Sequence, residues 1–338
     1  MAAQDIEYVE LYTSDESSAV GYFVSSFGFT AIAESSDDGH SWLLRQGSAQ
    51  IVVTAGRRTE EFLDAHGDGV ADIAFGCDDV VQTFDMAVAA GASPITAEPD
   101  KHVVSGSFGT HHTLVPRSAG NHVPGGRTWV PVPESSRRPS VGHIRLVDHV
   151  AVCVESGTLA NCADFYTSGF GLPRYSSEYV EVGEQGLDSI VVRSPSGGIT
   201  FTILEQDPAK KPGQIQGFLS RNDGPGVQHL AFLVDDIVSA IYEYSDRRID
   251  FLPTPGSYYD MLAERLPAIR GEIADLRSTN VLADRDEWGY LLQLFTRSPY
   301  QRNTLFYELV QRRGARGFGS ANIKALYEAV ERDGLAAG

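Results

Sequence analysis

The sequence predicts an α+β fold made of duplicated βαβββ modules arranged as two domains, plus a C-terminal helix. Three observations predict it. The 338-residue chain is long enough for two domains of ordinary size. It repeats itself, and self-similarity at long range means a duplicated unit. Within each copy, short apolar runs with strand spacing are interleaved with stretches whose apolar residues recur at helical spacing.

Taken in order, Ile6–Tyr12 reads as a half-buried strand, and Ser17–Ser26 as a helix that leads into Phe27-Gly28-Phe29. Trp42–Leu44 and Gln50–Thr54 read as strands bounded by Gly/Ser turns. A new module opens at Gly67-Asp68-Gly69-Val70-Ala71-Asp72-Ile73-Ala74-Phe75 and runs through Asp78-Asp79 into an apolar helix. Residues 117–145 hold Gly125-Gly126, several prolines and Arg137-Arg138-Pro139, and read as a crossover. The domains are therefore expected at 1–130 and 146–338, with a linker at 131–145. The second copy then repeats the first. Asp148–Val154 is the strand, Leu159–Ser168 the helix, Phe170-Gly171-Leu172 the turn, and Ser189–Arg193 and Thr200–Glu205 the following strands. Gly224-Pro225-Gly226-Val227-Gln228-His229-Leu230-Ala231-Phe232, Asp235-Asp236 and an apolar helix complete the parallel. Near the end, Ser320 is a good N-cap, and Ile323, Leu326, Tyr327 and Val330 recur at helical spacing behind Gly314, Gly317 and Gly319. This helix is expected either to close over a pocket as a lid or simply to cap its domain.

Composition narrows the function. A net charge of −18 argues against nucleic acid or an anionic membrane as partner. No apolar run approaches the ~18 residues that span a bilayer, and the start, Met1-Ala2-Ala3-Gln4-Asp5-Ile6, lacks the features of a secretory signal. Cys77, Cys153 and Cys162 are odd in number and lack metal-site spacing, so reduced, buried thiols in a cytoplasmic protein are expected.

The chemistry lies in three side chains. His149, His229 and Glu308 sit inside apolar runs, Val147–Val152, Val227–Phe232 and Leu305–Val310, roughly 80 residues apart. An imidazole or carboxylate buried there needs a partner. Two imidazoles and one carboxylate gathered in one cavity make the set that holds non-haem Fe(II) on one face and leaves positions open. The repeat sharpens this. Tyr8 stands where the second copy has His149, Asp72 where it has His229, and Thr113-Leu114-Val115 aligns loosely with Glu308-Leu309-Val310. A histidine demanded by packing should appear in both copies, so its presence in one favours function. The pair His111-His112 points to opposite faces of a strand and cannot readily share a metal.

Several stretches carry a resemblance to a known family. They are Gly226-Val227-Gln228-His229, Thr254-Pro255-Gly256-Ser257-Tyr258-Tyr259-Asp260, Asn280-Val281-Leu282-Ala283-Asp284, Leu292-Gln293-Leu294-Phe295-Thr296, Phe306-Tyr307-Glu308 and Gly317-Phe318-Gly319-Ser320-Ala321-Asn322-Ile323-Lys324-Ala325-Leu326. Together they resemble the 4-hydroxyphenylpyruvate dioxygenase and 4-hydroxymandelate synthase group of the vicinal oxygen chelate superfamily, strongly after Val147 and weakly before it. The resemblance implies two open-barrel domains and an Fe(II) oxygenase, often a homodimer, acting on a small 2-oxo acid and O2. It further implies that Gln228, Gln293 and Asn322 serve the catalytic centre, and that Ser189, Leu204, Gln214, Phe295, Phe306, Phe318 and Ile323 meet the substrate.

Two positions bear on the product. Ring-hydroxylating members of the family usually have Asn where this chain has Leu204, and Phe where it has Ile323. Both departures resemble the mandelate synthases, although Thr202 and Gln206 also replace common prolines of the ring-hydroxylating enzymes. Losing an amide tether and trimming an aromatic lets the ring sit differently, and a ~1 Å shift redirects a reaction by ~100-fold. The expected reaction is conversion of 4-hydroxyphenylpyruvate to 4-hydroxymandelate. Homogentisate formation is the runner-up, followed by a non-catalytic ligand-binding protein and a Zn or Ni isomerase on the same scaffold.

Overall fold

The fold is taken from a computed structural model and is described for residues 3–37, 39–95, 102–118, 122–137 and 142–324. Two eight-stranded mixed sheets dominate it. The first contains β1 (Ala3–Tyr12), β2 (Thr30–Ser35), β3 (His40–Gln46), β4 (Ala49–Ala55), β5 (Gly69–Cys77), β6 (His102–Ser105), β7 (His111–Pro116) and β8 (Val130–Pro131). The second contains β9 (Ile144–Val154), β10 (Arg174–Val182), β11 (Gln185–Arg193), β12 (Thr200–Gln206), β13 (Gly226–Val234), β14 (Leu282–Arg285), β15 (Tyr290–Phe295) and β16 (Phe306–Arg313). Among the helices, α1 (Glu16–Gly21) continues as a wider helical turn to Ser26, α2 spans Glu60–His66, α3 Val80–Ala89, α4 Leu159–Phe170, α5 Gln214–Asn222, α6 Ile237–Asp246, α7 Gly256–Arg265 and α8 Ile273–Ser278.

The duplication is explicit in the pairing. In each sheet the opening strand lies antiparallel to the strand that opens the next module, β1 with β5 and β9 with β13. Each also has a parallel neighbour that closes its own module, β4 and β12 respectively. Register carries the repeat to single residues. Tyr8 faces Ala74 as His149 faces Ala231, and Phe75 faces Leu114 as Phe232 faces Leu309. Thr113 therefore holds the place of Glu308, as the sequence suggested. The structure adds β8, which pairs with β2 from inside the stretch read as crossover. A two-residue strand with a proline carries no legible alternation, and β9 likewise begins earlier than expected, at Ile144.

The two halves share one core. Period-2 alternation sends Val150, Val152 and Val154 of β9 and Leu230, Phe232 and Val234 of β13 into it, leaving His149 and His229 for the other face. The turn after each module's first helix crosses to the opposite half. Phe27 packs edge-on against Phe232 and Tyr307, while Phe170 packs edge-on against Phe75 and beside His112. Gly169 of α4 meets α3 so closely that a Cβ there would lie 3.3 Å from the Ala87 backbone. Cys77, Cys153 and Cys162 are free and buried, as read from the sequence. Among the described residues no helix is long and apolar enough to cross a membrane.

Candidate functional site

His149, His229 and Glu308 project from β9, β13 and β16, which are neighbours in the second sheet. All three are buried, and a ligand atom from each lies within 4.8 Å of the others. The Nε2 atoms of both imidazoles stand 3.2 Å from the same carboxylate oxygen, Glu308 Oε2.

A backbone irregularity orients both rings. Asp148 and Gln228 are each the unpaired extra residue of a β-bulge, because register slips between the pairs His149–Ala231 and Val147–Phe232, and between Val152–Val227 and Ala151–His229. A bulge bends the strand and re-aims the side chain it displaces. Each displaced side chain reaches the next residue, so His149 Nδ1 lies 2.9 Å from Asp148 Oδ1 and His229 Nδ1 lies 3.1 Å from Gln228 Oε1. Both oxygens accept Nδ1–H, which turns Nε2 toward the cavity in each ring. The first sheet has the same two slips, at Glu7 and Ala71. There Glu7 accepts from the Ser118 backbone and hydroxyl instead.

The two imidazoles differ electrically. Burial pushes His229 below the ordinary imidazole value, and its bulge partner is a neutral amide. Burial acts on His149 too, but the Glu308 and Asp148 carboxylates outweigh it and raise that ring to about 9. Asp148 stays ionised despite burial because Arg312 donates to both of its oxygens at 2.7 Å, holding the carboxyl well below the usual range. Glu308 is also held low against burial, mainly by His149. An anionic oxygen donor facing two Nε2 atoms, each ring locked from behind through Nδ1–H, fits a hard or borderline divalent cation, which would displace the proton held between His149 and Glu308.

Beside this set lies a cavity of about 80 Å³. Ser189, Leu204, Gln293, Phe295, Phe318 and Ile323 line it, with Val180, Leu187, Val191 and Thr202 as further wall. Gln293 donates to Glu308 Oε1 at 3.2 Å and accepts from the fully buried Asn322 at 3.1 Å, whose own oxygen accepts from Tyr258 at 2.7 Å. Gln228 stands behind His229 rather than in the cavity, and Phe306 stacks on the His229 ring at 5.0 Å. Gln214, expected at the substrate, is exposed at the start of α5 and is not part of the cavity wall. Residues 320–324 are helical, as expected of the terminal helix, while Leu326, Tyr327 and Val330 lie outside the described residues. Sequence reasoning missed Asp148, Arg312 and Tyr258. The only local signal was an aspartate directly before a buried histidine, which on a regular strand would face away.

The equivalent place in the first sheet is filled by its own side chains. Thr113 donates to Asp72 through both backbone and hydroxyl, and Tyr8 OH lies 3.5 Å from the same carboxyl. Glu10, next to it, is taken up by Thr54, Arg58 and Arg127.

Comparison with known proteins agrees with this architecture. A family model described as hydroxyphenylpyruvate dioxygenase, HPPD, N-terminal, matches residues 1–107. Another, described as the glyoxalase/bleomycin resistance protein/dioxygenase superfamily, matches residues 146–294. The 4-hydroxyphenylpyruvate dioxygenase of Yarrowia lipolytica is 31% identical across 97% of this chain and 91% of its own length. That of Neurospora crassa is 35% identical across 81% and 71%. A solved triple mutant of 4-hydroxymandelate synthase from Streptomyces coelicolor is 52% identical, with a TM-score of 0.89 over 98% of this chain and 99% of that one. With a buried two-histidine, one-glutamate set in the second of two half-barrel sheets, the chain belongs to the 4-hydroxyphenylpyruvate dioxygenase and 4-hydroxymandelate synthase family of dioxygenases, on the vicinal oxygen chelate fold.

Proposed function

We propose that the chain is an Fe(II)-dependent oxygenase that converts 4-hydroxyphenylpyruvate and O2 to 4-hydroxymandelate and CO2. One oxygen atom ends in the benzylic hydroxyl and the other in the new carboxylate. The observation that carries this reading is the cavity wall, where Leu204 and Ile323 stand with Phe295 and Phe318 around the metal-binding set. Neither aliphatic chain can hydrogen-bond the ring hydroxyl or stack broadly on the ring, so the aryl group is held by shape alone, with its side-chain carbon toward the ligands. Likeness to the mandelate synthase structure supports the same choice.

When bound, the iron supplies a chelating centre for the 2-oxo acid and the means to activate O2. His149, His229 and Glu308 would hold it, and the single carboxylate leaves a net positive centre suited to an anionic substrate. Asp148 and Gln228 keep both imidazoles in the ligating tautomer. Gln293, tied to Glu308 and Asn322, offers an amide that orients oxygen atoms without changing charge with pH. Phe295 and Phe318, with Leu204 and Ile323, exclude water. On this reading the chemistry belongs to residues 146–338 and the supporting scaffold to 1–130, joined through 131–145. A cytoplasmic, homodimeric protein is the accompanying expectation.

The second reading is ring hydroxylation to homogentisate, favoured by the names of the curated relatives. Product chromatography after incubation with Fe(II), O2 and 4-hydroxyphenylpyruvate separates the two, and homogentisate alone would reject the first. The double variant Leu204→Asn/Ile323→Phe is expected to divert a measurable share of product to the ring. An unchanged product ratio would refute the argument from pocket shape.

A further inference from the structure

A second, larger cavity, of about 610 Å³, lies on the other side of Phe318. Phe318 lines both spaces. Its ring meets His149 edge-on at 5.3 Å, Tyr175 at 6.5 Å and the Arg312 guanidinium at 5.1 Å. Four arginines face the larger space, in a chain whose net charge is −18. Two are already neutralised, Arg312 by Asp148 and Arg174 by Asp164. Arg193 and Arg316 are not. Among the described residues neither has a carboxylate partner. Among the described residues the Arg193 Nε is buried with no hydrogen-bond acceptor, its guanidinium lying 5.2 Å over the Tyr175 ring, and Arg316 lies 5.0 Å over Trp288.

A buried guanidinium donor left without an acceptor implies a ligand that supplies one. Planar guanidinium groups match carboxylates in two-point fashion, and uncompensated cations in a cleft raise the local concentration of anions. With Phe318 in place the metal-side cavity, at about 80 Å³, has room only for a few waters at ~15 Å³ each, so an arylpyruvate enters it only after Phe318 turns aside and needs a resting place before that. The larger cavity has the room.

We propose that this arginine-lined cavity is a binding site for the carboxylate of a small aryl acid, a vestibule where substrate or product rests before or after passing Phe318. The assignment rests on the proposed function for the identity of the acid, but not for the existence of the site. Arg193 and Arg316 supply the charge, Tyr175 and Phe318 the apolar contact, and rotation of Phe318, set between Gly317 and Gly319, joins the two spaces.

The test uses metal-free protein, so that oxygenase activity, or its lack, has no bearing on the result. The probe is 4-hydroxyphenylacetate, which lacks the 2-oxo group, titrated by calorimetry. Binding is expected to weaken as NaCl is added and to exceed that of the neutral 4-hydroxyphenylacetamide at least tenfold. Equal affinity for the acid and its amide would overturn the proposal without any variant. The double variant Arg193→Gln/Arg316→Gln is expected to lose tenfold or more in affinity and most of the salt dependence, while Arg193→Lys/Arg316→Lys retains the salt dependence. Undiminished binding by the glutamine pair, or displacement of the probe by an equal concentration of inorganic phosphate, would reject an aryl-acid site.

Discussion

At the scale of single residues, the two histidines of the candidate metal site are set apart by what precedes them. Asp148 and Gln228 perform the same geometric task, yet one is an anion clamped by Arg312 and the other an amide. Asp148→Asn keeps the hydrogen-bond acceptor and removes the charge. It is expected to weaken metal affinity by ~10–100-fold, read by Co(II) competition against a chelator, and to destabilise the fold because Arg312 is left buried beside a neutral amide. Asp72, which takes the place of His229 in the first sheet, makes the second case. Burial, with Glu10 adding to it, raises its carboxyl to about 7 despite donors from Thr113. Between the ordinary aspartate value near ~4 and 7, the folded chain keeps a proton that the unfolded chain has lost. Stability therefore falls as pH rises through that window and levels off above it. Asp72→Asn is expected to flatten this slope and to melt above the parent at pH 8 by thermal unfolding. An unchanged slope would place the carboxyl's titration outside the window.

At the scale of elements, bulges and one glycine do what regular strands cannot. Alternation along β9 would send Asp148 and His149 to opposite faces, and only the extra residue lets the first support the second. Because both bulges recur in the first sheet, they belong to the scaffold, and the second sheet has placed its candidate metal-holding histidines on them. The start of the terminal helix is equally constrained. Gly319 has φ of +79°, and a Cβ there would sit 1.9 Å from Gln293 Oε1. Gly319→Ala is expected to lose ~1–3 kcal/mol in urea unfolding, and to lower turnover as well, since Gln293 must leave Glu308 or Asn322. Loss of stability with full turnover would mean that the amide chain is structural only.

At the scale of the whole molecule, the halves are joined through side chains rather than a hinge. Fully buried His112 of β7 lies 2.7 Å from the hydroxyl of fully buried Tyr166 in α4 and 3.1 Å from the Ile73 carbonyl. Burial pushes this imidazole down to about 3, so it is neutral: Nδ1–H donates to the carbonyl and Nε2 accepts from the tyrosine. Arg302 ties the second half to the carbonyls of Asp64 and Ala65 near the end of α2. One core spanning both sheets predicts one cooperative unfolding transition, coincident by tryptophan fluorescence and circular dichroism. Tyr166→Phe strands a buried acceptor between the halves. It is expected to lower stability by ~1–3 kcal/mol while leaving the transition single. Two resolved transitions would contradict the shared core.

Much of this was legible in one dimension. Strand and helix spacing, a repeat visible in Phe27-Gly28-Phe29 and Phe170-Gly171-Leu172, and polar residues inside the apolar runs around His149, His229 and Glu308 were enough to name the duplicated modules and the three side chains that the fold gathers into a candidate metal site. Hydrophobic period and burial cost act locally, so they leave a mark in the order of residues. Tertiary structure alone decided the rest: that Asp148 and Arg312, far apart in the chain, make one pair; that Gln214 faces solvent instead of joining Leu204 and Ile323; and that a basic cavity backs onto Phe318. Each of these depends on a one-residue register slip or on surfaces brought together from distant segments. Neither leaves a periodic trace, because a bulge adds a residue without changing composition and a cavity is defined by what does not fill it.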